Sequence, residues 1–165
     1  MRVVGIDPGH ARIGYGVIEV LGGSFHFEEM GVWEITSHAP STRLAELETR
    51  LTAFLRSARP DRIGIERLFF STNKRTAMAV SEARGVILLA AGKTGIPLIE
   101  LTPNEVKQAV TGDGSASKSA VAKMVRWILH LEDRGGLDDE TDALAIAIAA
   151  AGSFRTFPKG SREGG

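Results

Sequence analysis

The order of the predicted strands and helices constrains the fold of this chain more than any other feature of its sequence. Three β-rich runs come first, at residues 1–6, 13–20 and 24–35, and Leu21-Gly22-Gly23 forms a tight turn between the second and the third. Strand patterns at residues 61–65 and 96–101 then alternate with helical patterns. Three antiparallel strands followed by this alternation predict an α/β fold, with a five-stranded mixed sheet flanked by helices.

Five segments have the composition or the periodicity of helices. The first, at residues 41–57, places Leu47 and Leu51 on one face, and Ser41 or Thr42 is predicted to cap its start. The other predicted helices lie at residues 73–91, 103–110, 118–131 and 139–150.

The size and composition of the chain indicate one domain. A length of 165 residues with 43% hydrophobic content suits a single packed core, which we expect at residues 1–151, followed by a disordered tail at residues 152–165. No segment has the roughly 18 apolar residues that a membrane span needs, and the N-terminus lacks the long apolar core of a signal peptide. We therefore expect a cytoplasmic protein.

The lack of cysteine limits the chemistry available to the chain. With no cysteine, disulfides, thiolate metal sites and cysteine nucleophiles are excluded, so any metal must bind to oxygen or imidazole. The 20 basic and 20 acidic residues give a net charge of zero, which argues mildly against wholesale nucleic-acid binding. Basic residues are nevertheless concentrated at 74–84 and 107–126, and a neutral sum is compatible with a basic face.

Two carboxylates stand at the ends of predicted strands. Asp7 follows the first apolar run, and Glu66 follows Ile63-Gly64-Ile65 directly. A charged group at such a position usually faces a crevice at the carboxyl edge of the sheet. Taken singly, Asp7 could equally cap the Pro8-Gly9 turn, and Glu66 could be a solvated strand end or pair with Arg67.

Two further carboxylates stand three residues apart at the start of the last predicted helix. Asp139 and Asp142 therefore share one helical face, where like charges repel unless a cation lies between them. Acidic residues in a first turn also favour the helix dipole, which is the simpler interpretation of this pair alone. Together with Asp7 and Glu66, however, they could form an oxygen-only site for two Mg²⁺ or Mn²⁺ ions that hydrolyse a phosphodiester.

Four ordered motifs resemble those of the RuvC family of bacterial Holliday junction resolvases, over residues 1–151. The first comprises Gly5-Ile6-Asp7-Pro8-Gly9 and Gly14-Tyr15-Gly16. The others are Ile65-Glu66-Arg67-Leu68-Phe69-Phe70-Ser71-Thr72-Asn73, Glu82-Ala83-Arg84-Gly85-Val86 and Asp139-Glu140-Thr141-Asp142-Ala143-Leu144-Ala145-Ile146-Ala147.

The resemblance implies a ribonuclease H-like fold and a metal-dependent enzyme. The catalytic, metal-binding carboxylates of the family would be Asp7, Glu66, Asp139 and Asp142; Asp138 adjoins the third, and Asp139 is chosen for its spacing from Asp142. The family further implies a homodimer that makes paired symmetrical nicks in four-way DNA junctions and works with junction-binding and branch-migration motor proteins of the RuvA and RuvB type.

Five residues are predicted to contact DNA. Lys107 and Lys118 lie in stretches that resemble the phosphate-contacting region of the family, and Lys118 follows a glycine-serine loop at a helix start, where an anion would explain a lysine better than the helix dipole does. By the same resemblance, Phe69 corresponds to an aromatic residue of the family that is placed to stack on an unpaired base near the crossover of the junction. Arg75 and Lys123 could add phosphate contacts, although a solvated face is the simpler interpretation of each.

Three other functions are compatible with parts of the pattern. Asp7 with the glycines at 9, 14 and 16 also suits a phosphate loop of actin-like or sugar-kinase ATPases, but 165 residues leave no room for the second domain that those folds require. A junction-binding dimer that does not cleave, and a ribonuclease H-like nuclease with another substrate such as an RNA–DNA hybrid, remain alternatives.

Overall fold

The computed structural model describes residues 1–9, 11–37, 39–67, 74–132 and 138–152, without the side chains of residues 74–76 and 138. The strands are β1 Arg2–Pro8, β2 Arg12–Leu21, β3 Ser24–Glu34, β4 Arg62–Glu66 and β5 Leu98–Leu101. The helices are α1 Pro40–Ala58, α2 Lys74–Thr94, α3 Pro103–Thr111, α4 Lys118–Ile128 and α5 Asp138–Gly152. Gly152, the first residue of the tail predicted to be disordered, is the last residue of α5, and residues 153–165 lie outside the described residues.

The five strands form one mixed sheet in the order β3-β2-β1-β4-β5. The β1–β2 and β2–β3 pairs are antiparallel, and β1–β4 and β4–β5 are parallel. The predicted mixed sheet with flanking helices is therefore confirmed. None of the helices that the structure describes is both long and apolar enough to cross a membrane.

Each face of the sheet carries its own apolar core because successive side chains of a strand point to opposite faces. Val4 and Ile6 of β1 pack with α1 and α2, whereas Val3 belongs to the core made with α3, α4 and α5. Asp7 is in phase with Val3 and Gly5, so it points to the face that α5 covers.

A row of three glycines lets α5 lie directly against the sheet. Gly5 of β1 is paired with Gly16 of β2 on one side and with Gly64 of β4 on the other. A Cβ atom at Gly5 would lie 2.0 Å from the carbonyl oxygen of Ala143, and one at Gly64 would lie 2.6 Å from the Cβ of Ala150. Helix α5 thus crosses three adjacent strands along a shallow trough, which fixes the position of its first turn.

Helices α1, α2 and α5 each begin one residue away from the predicted start, and the cap predicted for α1 is absent. Helix α1 begins at Pro40 with Ala39 at its N-cap and no side-chain cap, so the predicted cap by Ser41 or Thr42 is wrong. Proline is favoured at a first helical position because its fixed φ suits the helix and it has no N–H that needs a partner there. Helix α3 instead has a capping box between Thr102 and Glu105.

Candidate active site

The predicted carboxylates meet at one edge of the sheet. Asp7 lies near the end of β1, Glu66 is the last residue of β4, and Asp139 and Asp142 lie in the first two turns of α5. Gly14 is paired with Asp7, and a Cβ atom at Gly14 would lie 2.2 Å from the carbonyl oxygen of Asp139. The close packing of α5 on the sheet therefore brings the helical pair over the strand ends.

The acidic neighbours raise the pKa values of the two strand-end carboxylates, Asp7 and Glu66. Burial, followed by the charges of Asp142, Glu66 and Asp139, raises the pKa of Asp7 from 3.8 to about 7, and Lys118 opposes this rise. Burial and then Asp142 raise the pKa of Glu66 as well, whereas Lys107 and Lys118 lower it. Acidic neighbours thus oppose the ionisation of Asp7 and Glu66, and a positive charge at this edge of the sheet would relieve that effect.

The donors fit a hard divalent cation. All four groups present carboxylate oxygens, which are the ligands that Mg²⁺ and Mn²⁺ prefer. Among the residues that the structure describes, no three acidic or histidine side chains are already grouped tightly enough to hold a single ion together. The fit therefore rests on the chemistry and mutual proximity of the donors.

Two basic side chains pair with the acidic residues of α5. The Lys118 Nζ atom lies 2.9 Å from the Asp142 Oδ2 atom, and the Arg12 Nε atom lies 3.3 Å from the Asp139 Oδ2 atom. Lys118 was predicted to contact DNA, and it lies directly at the carboxylate edge. Arg12 was missed, although the period of two along β2 places it on the same face as Gly14.

The remaining predicted DNA contacts have different outcomes. Lys107 of α3 is close enough to influence Glu66 electrostatically. Lys123 is exposed on α4, about 140° around the helix from Lys118, so the two side chains leave the helix on different faces. Arg75 lies in the first turn of α2, but its side chain is outside the described part of the chain, as is the whole of Phe69.

Arg67 does not pair with Glu66, which removes one alternative explanation of that glutamate. The Arg67 Nε atom instead lies 3.9 Å from the Glu100 Oε2 atom, and the same carboxylate of β5 accepts a hydrogen bond from Arg84 of α2. The backbone N–H of Arg67 donates to the carbonyl oxygen of Leu101. These contacts fix the end of β4, and Arg67 does not neutralise the Glu66 side chain at the carboxylate edge.

The sequence matches known proteins over nearly its whole length. The family model described as crossover junction endodeoxyribonuclease RuvC matches residues 3–150. The chain belongs to the RuvC family. The RuvC protein of Desulfitobacterium hafniense is 44% identical over 166 residues, with 100% of this chain and 99% of that protein covered. The RuvC protein of Heliobacterium modesticaldum is 45% identical over 155 residues, which cover 93% and 96% of the two chains.

Solved RuvC structures share the fold. The structure of Thermus thermophilus RuvC has a TM-score of 0.84 and 36% identity, and the match covers 92% of this chain and 93% of that one. The T. thermophilus RuvC in complex with its Holliday junction substrate matches equally well. The yeast mitochondrial Holliday junction resolvase, at 19% identity and a TM-score of 0.66, supports the fold alone.

Membership of the RuvC family identifies this chain as an endodeoxyribonuclease, because its relatives are named crossover junction endodeoxyribonucleases. Nucleases of the RuvC family depend on divalent metal ions, in agreement with the oxygen-only donors found here. The region that matches the RuvC model includes all four carboxylates and both basic residues that pair with them.

Proposed function

We propose that this chain resolves four-way DNA junctions by paired symmetrical nicks that leave 5′-phosphate and 3′-hydroxyl ends, in homologous recombination and DNA repair. The observation that carries the proposal is the meeting of Asp7, Glu66, Asp139 and Asp142 at one sheet edge, where the pKa of Asp7 rises to about 7. A carboxylate whose ionisation is opposed by acidic neighbours is well suited to a divalent cation, because the charge of the cation favours the ionised form. The complex of T. thermophilus RuvC with a Holliday junction supports this choice of substrate.

In this mechanism the four carboxylates would hold Mg²⁺ or Mn²⁺, and we expect two ions in each site. When bound, such ions supply Lewis acidity for an attacking water and for a leaving oxygen. The partial burial of Asp7 and Glu66 reduces their contact with bulk water, which strengthens the charge interactions at this edge. Lys107 contributes a positive charge beside Glu66, and we assign it to the DNA phosphates.

The other DNA contacts are proposed on the same basis. Lys118 begins α4 at the carboxylate edge, where its ammonium can approach a phosphate that enters the site. Lys123 is exposed about 1.4 turns further along α4 and is assigned to a more distant phosphate. Phe69 is proposed to stack on an unpaired base at the crossover, and Arg75 to contact the DNA backbone.

A cleavage assay tests the proposed function. The substrates are a synthetic four-way junction, a linear duplex and an RNA–DNA hybrid, each incubated with EDTA, Mg²⁺ or Mn²⁺. Metal-dependent paired nicks confined to the junction are expected, and Asp7→Asn should abolish them while binding persists. Asp113→Asn is the matched control, because Asp113 lies in the loop before α4 and pairs with Ser115.

Each alternative has its own outcome in this assay. Efficient cutting of the hybrid would indicate a nuclease with another substrate. Tight binding of the junction without cutting would indicate a binding module. Retained cutting by Asp7→Asn would contradict the assignment of the carboxylates, whatever the substrate.

The exposed face of α2 supports a homodimer. Met78 and Leu89 are 72% and 54% exposed, and Gly85 lies between them on the same face with nothing within 4 Å of a Cβ atom placed there. An apolar helical face around a small residue can bring a second copy of the helix close. Leu89→Asp should convert the dimer to a monomer in light scattering, whereas Leu21→Asp, at a 51% exposed leucine that ends β2, should not.

Three broader assignments complete the proposal. We assign residues 1–151 to the nuclease domain, and a chain that stops after Gly152, the last residue of α5, should cut junctions as the full chain does. The protein acts in the cytoplasm, where RuvA-type junction-binding and RuvB-type branch-migration proteins are its partners. Co-purification of such proteins with a tagged chain on junction DNA, and not on linear duplex, tests that partnership.

A further inference from the structure

Arg12 places a positive charge beside Asp139, although Asp139 is proposed to bind a metal ion. It is the first residue of β2, whereas Asp139 lies at the start of α5, so their ion pair joins two separate elements. The Arg12 Nε atom and the Asp139 Oδ2 atom are 3.3 Å apart, and the two side chains are 40% and 36% exposed. A permanent positive charge thus stands beside a carboxylate oxygen that a cation would need.

Arg12 neutralises part of the charge of Asp139 but does not fix the orientation of its carboxylate, as a structural clamp would. An arginine that orients a carboxylate typically uses two parallel hydrogen bonds. Here the Nε and Nη2 atoms of Arg12 are buried and make no hydrogen bond within the described part of the chain. Attraction of opposite charges holds the side chain near Asp139, without the directional contacts that would fix the carboxylate.

Two positive charges cannot share one carboxylate oxygen without repelling each other. A divalent cation that takes the Oδ2 atom of Asp139 therefore displaces the guanidinium or binds more weakly beside it. We propose that Arg12 is a built-in counter-ion of the carboxylate site that competes with divalent cations for Asp139. The proposal rests on the proposed function, because it assumes that Asp139 is a metal ligand.

The competition should be modest because both side chains are partly exposed. Ion pairs with this exposure contribute little free energy. Loss of such a pair would change the affinity of the site for a divalent cation by about two- to fivefold. Removal of the positive charge from Arg12 should therefore lower the Kd for Mn²⁺ by about two- to fivefold. A structural clamp predicts the opposite sign, because an unrestrained Asp139 would bind the ion less well.

Titration calorimetry of the full chain with Mn²⁺ alone, at constant ionic strength, tests the sign. Arg12→Gln removes the charge, Arg12→Met is a second neutral variant, and Arg12→Lys keeps the charge without the guanidinium fork. Arg50→Gln is the matched control, because Arg50 pairs with Glu46 at 2.8 Å on α1 and is 45% exposed. Both neutral variants should bind Mn²⁺ more tightly, while Arg12→Lys and Arg50→Gln should stay close to the wild type.

An unchanged or raised Kd in the neutral variants overturns the role of Arg12. Weak binding by Arg12→Lys as well as by the neutral variants would show that the fork positions Asp139, which also overturns it. Asp7→Asn distinguishes a failure of the role of Arg12 from a failure of the carboxylate site. If this variant binds Mn²⁺ like the wild type, or if the wild type binds none, the assignment of the carboxylates as metal ligands fails.

Discussion

Replacement of Asp7 by asparagine should stabilise the folded chain in EDTA, although it should abolish cleavage. Asparagine has nearly the same shape as aspartate and carries no charge. In the folded chain, burial and then Asp142, Glu66 and Asp139 disfavour the charge of Asp7. Removal of that charge relieves the repulsion, so activity and stability should change in opposite directions.

The size of the effect follows from the pKa of Asp7, which folding raises from 3.8 to about 7. Between these values the folded chain keeps a proton that the unfolded chain has lost, so the free energy of unfolding falls as the pH rises. A difference of about 3 in pKa corresponds to at most about 4 kcal/mol. The loss of folding stability caused by ionised Asp7 is complete above about pH 7 and disappears as the pH approaches about 4.

Urea unfolding of wild type and Asp7→Asn in EDTA, from about pH 4 to about pH 8, measures this dependence. The variant should be more stable by about 2–4 kcal/mol at the alkaline end and equal to the wild type at the acidic end. Excess Mg²⁺ should stabilise the wild type more than the variant. Asp113→Asn is the control, because hydrogen bonds from Ser115 lower the pKa of Asp113 and its replacement should not stabilise the chain.

A wild type that is as stable as Asp7→Asn at every pH in EDTA would refute this reasoning. It would mean that Asp7 is ionised at little cost in the folded chain. The four carboxylates would then not be close enough to need a cation.

Three further perturbations test the fold around the site. Gly5→Ala should lower the free energy of unfolding by about 1–3 kcal/mol in urea, because its Cβ would meet the backbone of α5, whereas Gly92→Ala on open helix should not destabilise. Thr102→Ala removes the capping box of α3 and should cost about 1 kcal/mol in the same assay. Glu100→Ala leaves Arg84 without its acceptor and should cost about 1–2 kcal/mol, together with slower cleavage through displacement of β4.

Local patterns were sufficient to predict most of the architecture. Apolar alternation and glycine-containing turns indicated the strands, and the helical periodicity of residues 41–57 indicated α1, apart from its first and last residues. The cap of α1 could not be predicted reliably, because Pro40 begins the helix without any side-chain partner. Motifs such as the capping box of α3 are local, whereas the choice among neighbouring start positions depends on how the whole helix packs.

The sequence by itself determined the order of the elements and the mixed sheet, because these follow from local patterns along the chain, and with the family motifs it predicted four candidate site carboxylates. The tertiary structure decided which groups face one another. The row formed by Gly16, Gly5 and Gly64 joins residues that are far apart in sequence, and it sets how closely α5 approaches the sheet. The pairing of Arg12 with Asp139 spans more than a hundred residues, and such contacts exist only after the chain has folded.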